Sequence, residues 1–181
     1  MIKTDNMFSS LYNHFILRDI IHIFSGGIFI YFLYISDLKT FKGFLELFFS
    51  NLYRFILFVL LSYFTGLIIF HIAMILKIAP IKIKIPKTFT SQIELMNGIK
   101  SVYDEYAVNF FERQGCMETF GASLATSLLL SIAPLIYLYF YWEEEIALYL
   151  IITNIILSII LIYISKSTHK YIEKTINQLF P

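Results

Sequence analysis

The stretch FILRDIIHIFSGGIFIYFLYIS, residues 15–36, decides the fold class of this chain. Its second half is apolar enough to lie in the hydrocarbon of a lipid bilayer. Its first half carries Arg18, Asp19 and His22, side chains that hydrocarbon strongly disfavours. The stretch therefore predicts a helix that enters a membrane from water near Arg18 and then crosses it.

The composition of the whole chain also indicates lipid as its solvent. Of the 181 residues, 58% are hydrophobic and only 15% are charged. A soluble domain of this size has too little core volume to bury so much apolar surface. Four apolar runs are long enough to cross about 30 Å of hydrocarbon at about 1.5 Å per residue. They lie at about 19–36, 54–76, 120–141 and 146–165, and they predict an all-α membrane protein with four transmembrane helices.

The distribution of Lys and Arg predicts which side of the membrane each loop faces. Eleven of these residues lie on one predicted side: in residues 1–18, between the second and third runs, or after the fourth run. The other three lie on the opposite side, in the first loop. Because cytoplasmic loops carry the excess of basic residues, we expect both termini in the cytoplasm. The expected location is the bacterial inner (plasma) membrane, with the lipid bilayer as the principal partner.

This topology divides the chain into five segments. They are a cytoplasmic leader (1–18), a first transmembrane hairpin (19–76), a cytoplasmic insert (77–119), a second transmembrane hairpin (120–165) and a cytoplasmic tail (166–181).

The insert itself has two parts. KIAPIKIKIPKTFT, residues 77–90, alternates Ile with Lys between two prolines, which predicts a short extended or membrane-skimming segment. Ser91 and Glu94 then form a capping box, and no firm stop follows before Tyr141. The pattern predicts one helix of about 50 residues, whose first half extends the third span into the cytoplasm.

Arg18, Asp19 and His22 form a predicted cluster at the cytoplasmic mouth of the first span. A long Arg side chain can reach the headgroups from there. Arg18 and His22 are four residues apart and share a helical face, which Ser25 and Gly26 continue. We expect this cluster to serve packing or gating, not catalysis.

Two kinds of residue favour association of helices. An apolar stripe on the long helix needs cover from the leader or tail of the same chain, from a second copy or from a cytosolic protein. We expect a homo-oligomer, with a cytosolic protein as a further candidate partner. Hydroxyl and amide side chains in the spans predict close packing, within the chain or between copies. The residues predicted to carry association are Tyr103, Tyr106, Phe110, Met117, Ser123, Ser127, Ser131 and Asn154.

The sequence offers little support for an enzyme. It contains no glycine-rich phosphate loop, no HExxH or GxSxG motif and no paired cysteines. We therefore expect no catalytic residue, cofactor or metal site. The net charge of +1 argues against direct binding of nucleic acid.

Two alternatives stay open. His22 and His71 fall at similar predicted depth and could ligate a b-type haem in an electron-transfer subunit, although two interfacial histidines bonded to their neighbours are the commoner case. A small transporter or channel subunit is the other alternative, but no pair of broken helices indicates a substrate site.

Two stretches resemble small membrane proteins of bacterial phage-defence loci. FILRDIIHIFSGG (15–27) resembles the RD…(P/S)GG opening of such proteins, and YDEYAVNFFERQGCMETFGASLATSLLL (103–130) resembles the acidic-aromatic helix that runs into their third span. The family in question is the multi-span accessory protein of type VI-B CRISPR–Cas systems. The resemblance implies a non-enzymatic effector that modulates an RNA-guided nuclease system or compromises the inner membrane, and it supplies no catalytic residues.

Overall fold

Helices account for every regular element in the residues that the computed structural model describes, which are 3–38, 41–79, 92–102, 105–142 and 145–180. The helices are α1 (Lys3–Leu38), α2 (Phe41–Phe49), α3 (Leu52–Ile75), α4 (Gln92–Val102), α5 (Glu105–Leu130), α6 (Ile132–Trp142) and α7 (Glu145–Leu179).

Four stretches of these helices are long and apolar enough to cross a membrane. They are Ile16–Ser36, Leu52–Ile75, Ala107–Trp142 and Glu145–Leu179. Large apolar side chains cover their outer surfaces, whereas small and hydroxylated residues fill the interior. This is the distribution that a lipid solvent demands, because close helix packing replaces the hydrophobic effect inside a bilayer. The predicted all-α fold with four transmembrane helices is confirmed.

The helices α1 and α3 form an antiparallel pair with direct backbone contact. Gly26 lies against the carbonyl oxygen of Ser62, and Gly66 lies against that of His22. A Cβ atom at either glycine would fall on the backbone of the other helix. The absence of a side chain at these two positions therefore sets the spacing of the pair.

The helices α5 and α7 form a second antiparallel pair, joined by serine hydroxyls. Ser165 Oγ donates to the carbonyl oxygen of Glu118 at 3.0 Å, and Ser158 Oγ lies 3.2 Å from that of Ala125. Ser127 Oγ donates to the carbonyl oxygen of Ser25 at 2.7 Å, which ties this pair to α1. These registers make α1 parallel to α5, so the start of α1 and the end of α7 lie at the same end of the bundle.

The helix of the third span is interrupted at Ser131, between α5 and α6. Pro134 accounts for the interruption, since it cannot donate a hydrogen bond and its ring crowds the carbonyl of the residue four positions earlier. Backbone hydrogen bonds from Ser131 to Ser127 and from Leu135 to Ser131 connect the two helices across this point.

The predicted single helix from Gln92 to Tyr141 is wrong. The structure has α4, α5 and α6 in its place, and α4 packs back against α5 and the end of α7. The two helices share one apolar cluster, which an unbroken helix could not form because about 16 residues would separate its ends by about 24 Å. The buried members of this cluster are Leu95, Ile99, Phe111, Ile172 and Ile176.

We call this region the extension; it comprises α4 and the parts of α5 and α7 that lie beyond the apolar runs predicted from the sequence, residues 105–119 and 166–179. As predicted, the helix of the third span begins well before its apolar run. The tail, one of the candidate covers for the apolar stripe, covers part of the stripe within the chain.

A helix cap ends the second span. Lys77 adopts a left-handed backbone with φ 55°, the Lys77 N–H donates to Met74, and the Ile78 N–H donates to Ala73. This is the pattern of a Schellman motif, in which Ile78 also packs near Ala73. Residues 77–79 of the predicted extended segment (77–90) therefore form the cap of α3, and the segment's residues from 80 onward lie outside the described residues.

The helix α2 was not predicted, since its residues had been assigned to the first loop. Its rings Phe44, Phe48 and Phe49 form an aromatic cluster with the ends of α1 and α3. Phe44 is buried at the centre of that cluster.

Candidate functional site

His22 lies in the interior of the bundle, between α1 and α3. The centroid of its ring is 6.0 Å from that of Tyr63 and 5.6 Å from that of Phe70. Its carbonyl oxygen accepts a hydrogen bond from Ser25 Oγ at 3.2 Å, while its Nδ1 has no partner among the described residues. In this arrangement His22 is a packing residue that fills the space between two helices.

Arg18 and Asp19 lie one turn earlier on α1, closer to the surface. Arg18 is exposed and Asp19 is half-buried. The predicted mouth cluster therefore lies on α1, and only His22 enters the interior, between α1 and α3.

His71, the other residue of the haem alternative, is exposed on α3. Its Nδ1 lies 2.7 Å from the carbonyl oxygen of Leu67 in its own helix. The adjacent Phe70 is the residue that packs on His22, and neighbours on a helix project about 100° apart. The structure therefore buries one imidazole of the haem alternative and leaves the other exposed.

The hydroxyl residues predicted to carry association lie inside a single chain. Ser123, Ser127 and Ser131 are buried, and Ser131 Oγ donates to the carbonyl oxygen of Ser127 at 2.8 Å. Small polar residues pack helices equally well within and between chains, and the sequence left both cases open. Here they pack α5 against helices of its own chain.

Asn154 also lies in the interior, on the face of α7 that packs against α5. Its carbonyl oxygen accepts a hydrogen bond from Ser158 Oγ at 2.6 Å. Its side-chain Nδ2 has no acceptor among the described residues, so the interhelical hydrogen bond expected from this amide is not formed there.

The aromatic half of the predicted association surface is only partly visible. Tyr103 and the side chain of Tyr106 lie outside the described residues. The ring of Phe110 contacts Phe111 at 5.7 Å and Tyr171 of the tail at 6.4 Å, so its own chain partly covers it. Met117 is 55% exposed and is the residue of this set that stays open to a partner.

A charged cluster that sequence reasoning missed lies where the extension joins the spans. His169 Nδ1 is 3.3 Å from Oε2 of the buried Glu118, and His169 Nε2 is 3.5 Å from Oε1 of Glu173. We call these three residues the junction cluster. A protonated imidazole can donate from both nitrogens, so one positive charge on His169 can serve both carboxylates.

The junction cluster connects α5 to α7 at the point where the charged part of each helix meets its apolar part. The backbone of Glu118 takes part as well, since its carbonyl oxygen accepts the hydrogen bond from Ser165. The spacing of four residues between His169 and Glu173 was a usable sequence signal for their pairing. Nothing in the sequence indicated that Glu118, on another helix, faces them.

The junction cluster does not form a metal site. The two nitrogens of His169 point to different carboxylates, so these groups do not converge on one position, and no metal-binding group of three or more residues occurs in the described ranges. No protein-family model, curated protein or solved structure matches the chain.

Proposed function

We propose that this chain is a non-enzymatic, multi-pass protein of the bacterial inner membrane that signals to a cytosolic protein through its extension. The resemblance of its first and third spans to accessory proteins of phage-defence loci supports a role in antiviral defence. In this proposal both termini and the extension lie in the cytoplasm, as the excess of basic residues on that side favours.

The observation that carries the proposal is the continuity of helices between the spans and the extension. The helix α7 has 35 residues without a break and is about 52 Å long, against about 30 Å of hydrocarbon. The helix α5 likewise runs from the extension into the third span. A shift of either helix within the membrane would therefore move the apolar cluster of the extension.

The junction cluster supports the same role. It joins α5 and α7 at the level where they leave the spans, so a rotation of one helix relative to the other must break or strain the contact between Glu118 and His169. Coupling between the membrane and the cytoplasm requires an element with two arrangements, which here are the contact between Glu118 and His169 formed and the same contact broken.

Self-association belongs to the same proposal, through the exposed Met117. The interior of one chain is filled by packed side chains such as Ser127, Thr126 and Leu135. Any loss of membrane integrity would therefore need a path between copies, not through a single bundle.

The experiment compares two variants with one added charge each in the last turns of α7. Ile176→Glu places a carboxylate in the apolar cluster of the extension, whereas Gln178→Glu places one on the exposed face. Each is expressed with its own neighbouring genes, and phage plaquing, membrane potential and membrane insertion are measured. We expect Ile176→Glu to abolish protection while it still inserts, and Gln178→Glu to behave like the wild type.

Three results would overturn parts of the proposal. Equal protection by Ile176→Glu and the wild type would remove the extension as the signalling element. Depolarisation by the wild-type chain without its neighbours would show that it acts alone, without a cytosolic partner. Unchanged plaquing with or without the gene would remove the role in defence.

A further inference from the structure

We infer that α2 is an interfacial helix that binds the lipid leaflet opposite the chain termini. Leu45 and Leu47 would lie among the acyl chains and Glu46 at the level of the headgroups. The inference concerns the end of the molecule remote from the extension, and it does not depend on the proposed signalling role.

The aromatic rings of α2 lie deep in the space between α1 and α3. The ring of Phe44 packs against Tyr31 at 5.3 Å and against Phe58 at 5.6 Å. Tyr31 lies seven residues before the end of α1 and Phe58 six residues after the start of α3, so both lie about 10 Å inside the ends of these helices. The rings of α2 therefore reach down into the cleft between α1 and α3, and the helix lies across its mouth.

The orientation of α2 about its own axis separates apolar from charged side chains. Phe44 and Phe48 define the face that packs on α1 and α3. At 100° per residue, Leu45 and Leu47 project about 80° to either side of that face, and Glu46 projects directly opposite. Leu45 is 40% exposed, Leu47 is 41% exposed, and Glu46 is exposed. An amphipathic helix that lies in a membrane interface has this distribution, with its apolar flanks in lipid and its charge toward water.

The exposed apolar surface of α2 is continuous with the lipid-facing surface of the spans. The exposed apolar side chains of α2 run into those of the first turns of α3, which a transmembrane helix presents to lipid. These neighbours are Leu52, Tyr53, Phe55 and Ile56. The same surface that contacts acyl chains around α3 therefore extends onto α2, and a bilayer is the occupant that fits both.

The consequence is a lipid contact that is linked to helix packing. The aromatic rings join α2 to both α1 and α3, so displacement of α2 from the leaflet would withdraw Phe44 from between them. Lipid packing around α2 would thereby act on the α1–α3 pair.

Tryptophan fluorescence in reconstituted bilayers tests the position of α2. In a Trp142→Phe background, single tryptophans are placed by Leu47→Trp and, as the matched control on the opposite face, by Glu46→Trp. Vesicles contain phosphatidylcholine brominated on its acyl chains, or iodide is added to the water. We expect Leu47→Trp to be quenched mainly by the brominated lipid and Glu46→Trp mainly by iodide. Equal quenching of both by iodide, with none by brominated lipid, would refute the inference.

Cysteine labelling gives a second test, which can still be done if a tryptophan variant fails to fold. In a Cys116→Ala background, Leu47→Cys and Glu46→Cys are exposed to a membrane-impermeant maleimide in spheroplasts and in inverted vesicles. In whichever preparation labels Glu46→Cys, we expect Leu47→Cys to react at least about fivefold more slowly until detergent is added. Similar rates at the two positions would contradict a lipid-buried Leu47.

Discussion

Replacing Gly66 by Ala should force α1 and α3 apart. A Cβ atom at Gly66 would lie 2.6 Å from the carbonyl carbon of His22 and 2.8 Å from its Cα, whereas ordinary contacts need about 3.5 Å. The clashing atoms are backbone, so no side chain can move aside and the helices must separate by about 1 Å. Such overpacking costs about 1–3 kcal/mol, and the better helix propensity of Ala returns about 1 kcal/mol. We therefore expect the free energy of unfolding to fall by up to about 2 kcal/mol, and by about 1–3 kcal/mol relative to a Gly→Ala change that meets no neighbour.

The assay is unfolding by SDS in mixed micelles, followed by circular dichroism. Gly115→Ala is the matched control, because a Cβ there meets nothing within 4 Å, and it should be neutral or stabilising by up to about 1 kcal/mol. Gly27→Ala is an intermediate control, since its Cβ would meet only side chains, the nearest at 3.4 Å. If Gly66→Ala unfolds at the same SDS fraction as Gly115→Ala, the backbone contact between α1 and α3 does not exist in the native protein.

Three further predictions concern the mouth cluster, association and the junction cluster. Arg18→Leu should impair assembly or membrane activity while Arg18→Lys retains most of it, because Lys keeps the charge and the reach to headgroups; equal loss in both would require a specific guanidinium contact. Met117→Glu should shift the particle mass toward the monomer in nanodiscs by mass photometry while Met117→Leu does not, and a monomeric wild type would remove the oligomer altogether. A double-mutant cycle between Glu118→Gln and His169→Gln should give a coupling free energy of about 1–2 kcal/mol in the same SDS assay, whereas additive effects would show that the two side chains do not interact.

The spans could be predicted from the sequence because lipid imposes a simple rule. A helix has to satisfy its own backbone in hydrocarbon, so about 20 apolar residues in a row have few alternatives. The predicted runs match the spans found, and the inward-facing serines follow from the need for close packing. Which serine touches which helix could not be predicted, because Ser127 fits an interface within a chain as well as one between chains.

The extension and α2 were harder to predict, for physical reasons that differ. The separation of α4 from α5 depends on the tail residues Ile172 and Ile176, which cover both helices and lie far away in sequence. The helix α2 has only nine residues, too few for a periodic pattern to stand out from an apolar loop. The junction cluster depends on the register of α5 against α7, which the contact of Gly121 with Leu161 and Ser165 sets.

The proposed function requires the extension to lie in the cytoplasm, where a cytosolic partner can reach it, and paired topology reporters test this location. Alkaline phosphatase and green fluorescent protein are fused in turn after Pro181 and within residues 143–145. We expect fluorescence without phosphatase activity after Pro181, and phosphatase activity without fluorescence at 143–145. Phosphatase activity after Pro181 would place the extension on the outer side of the membrane and contradict the proposed function.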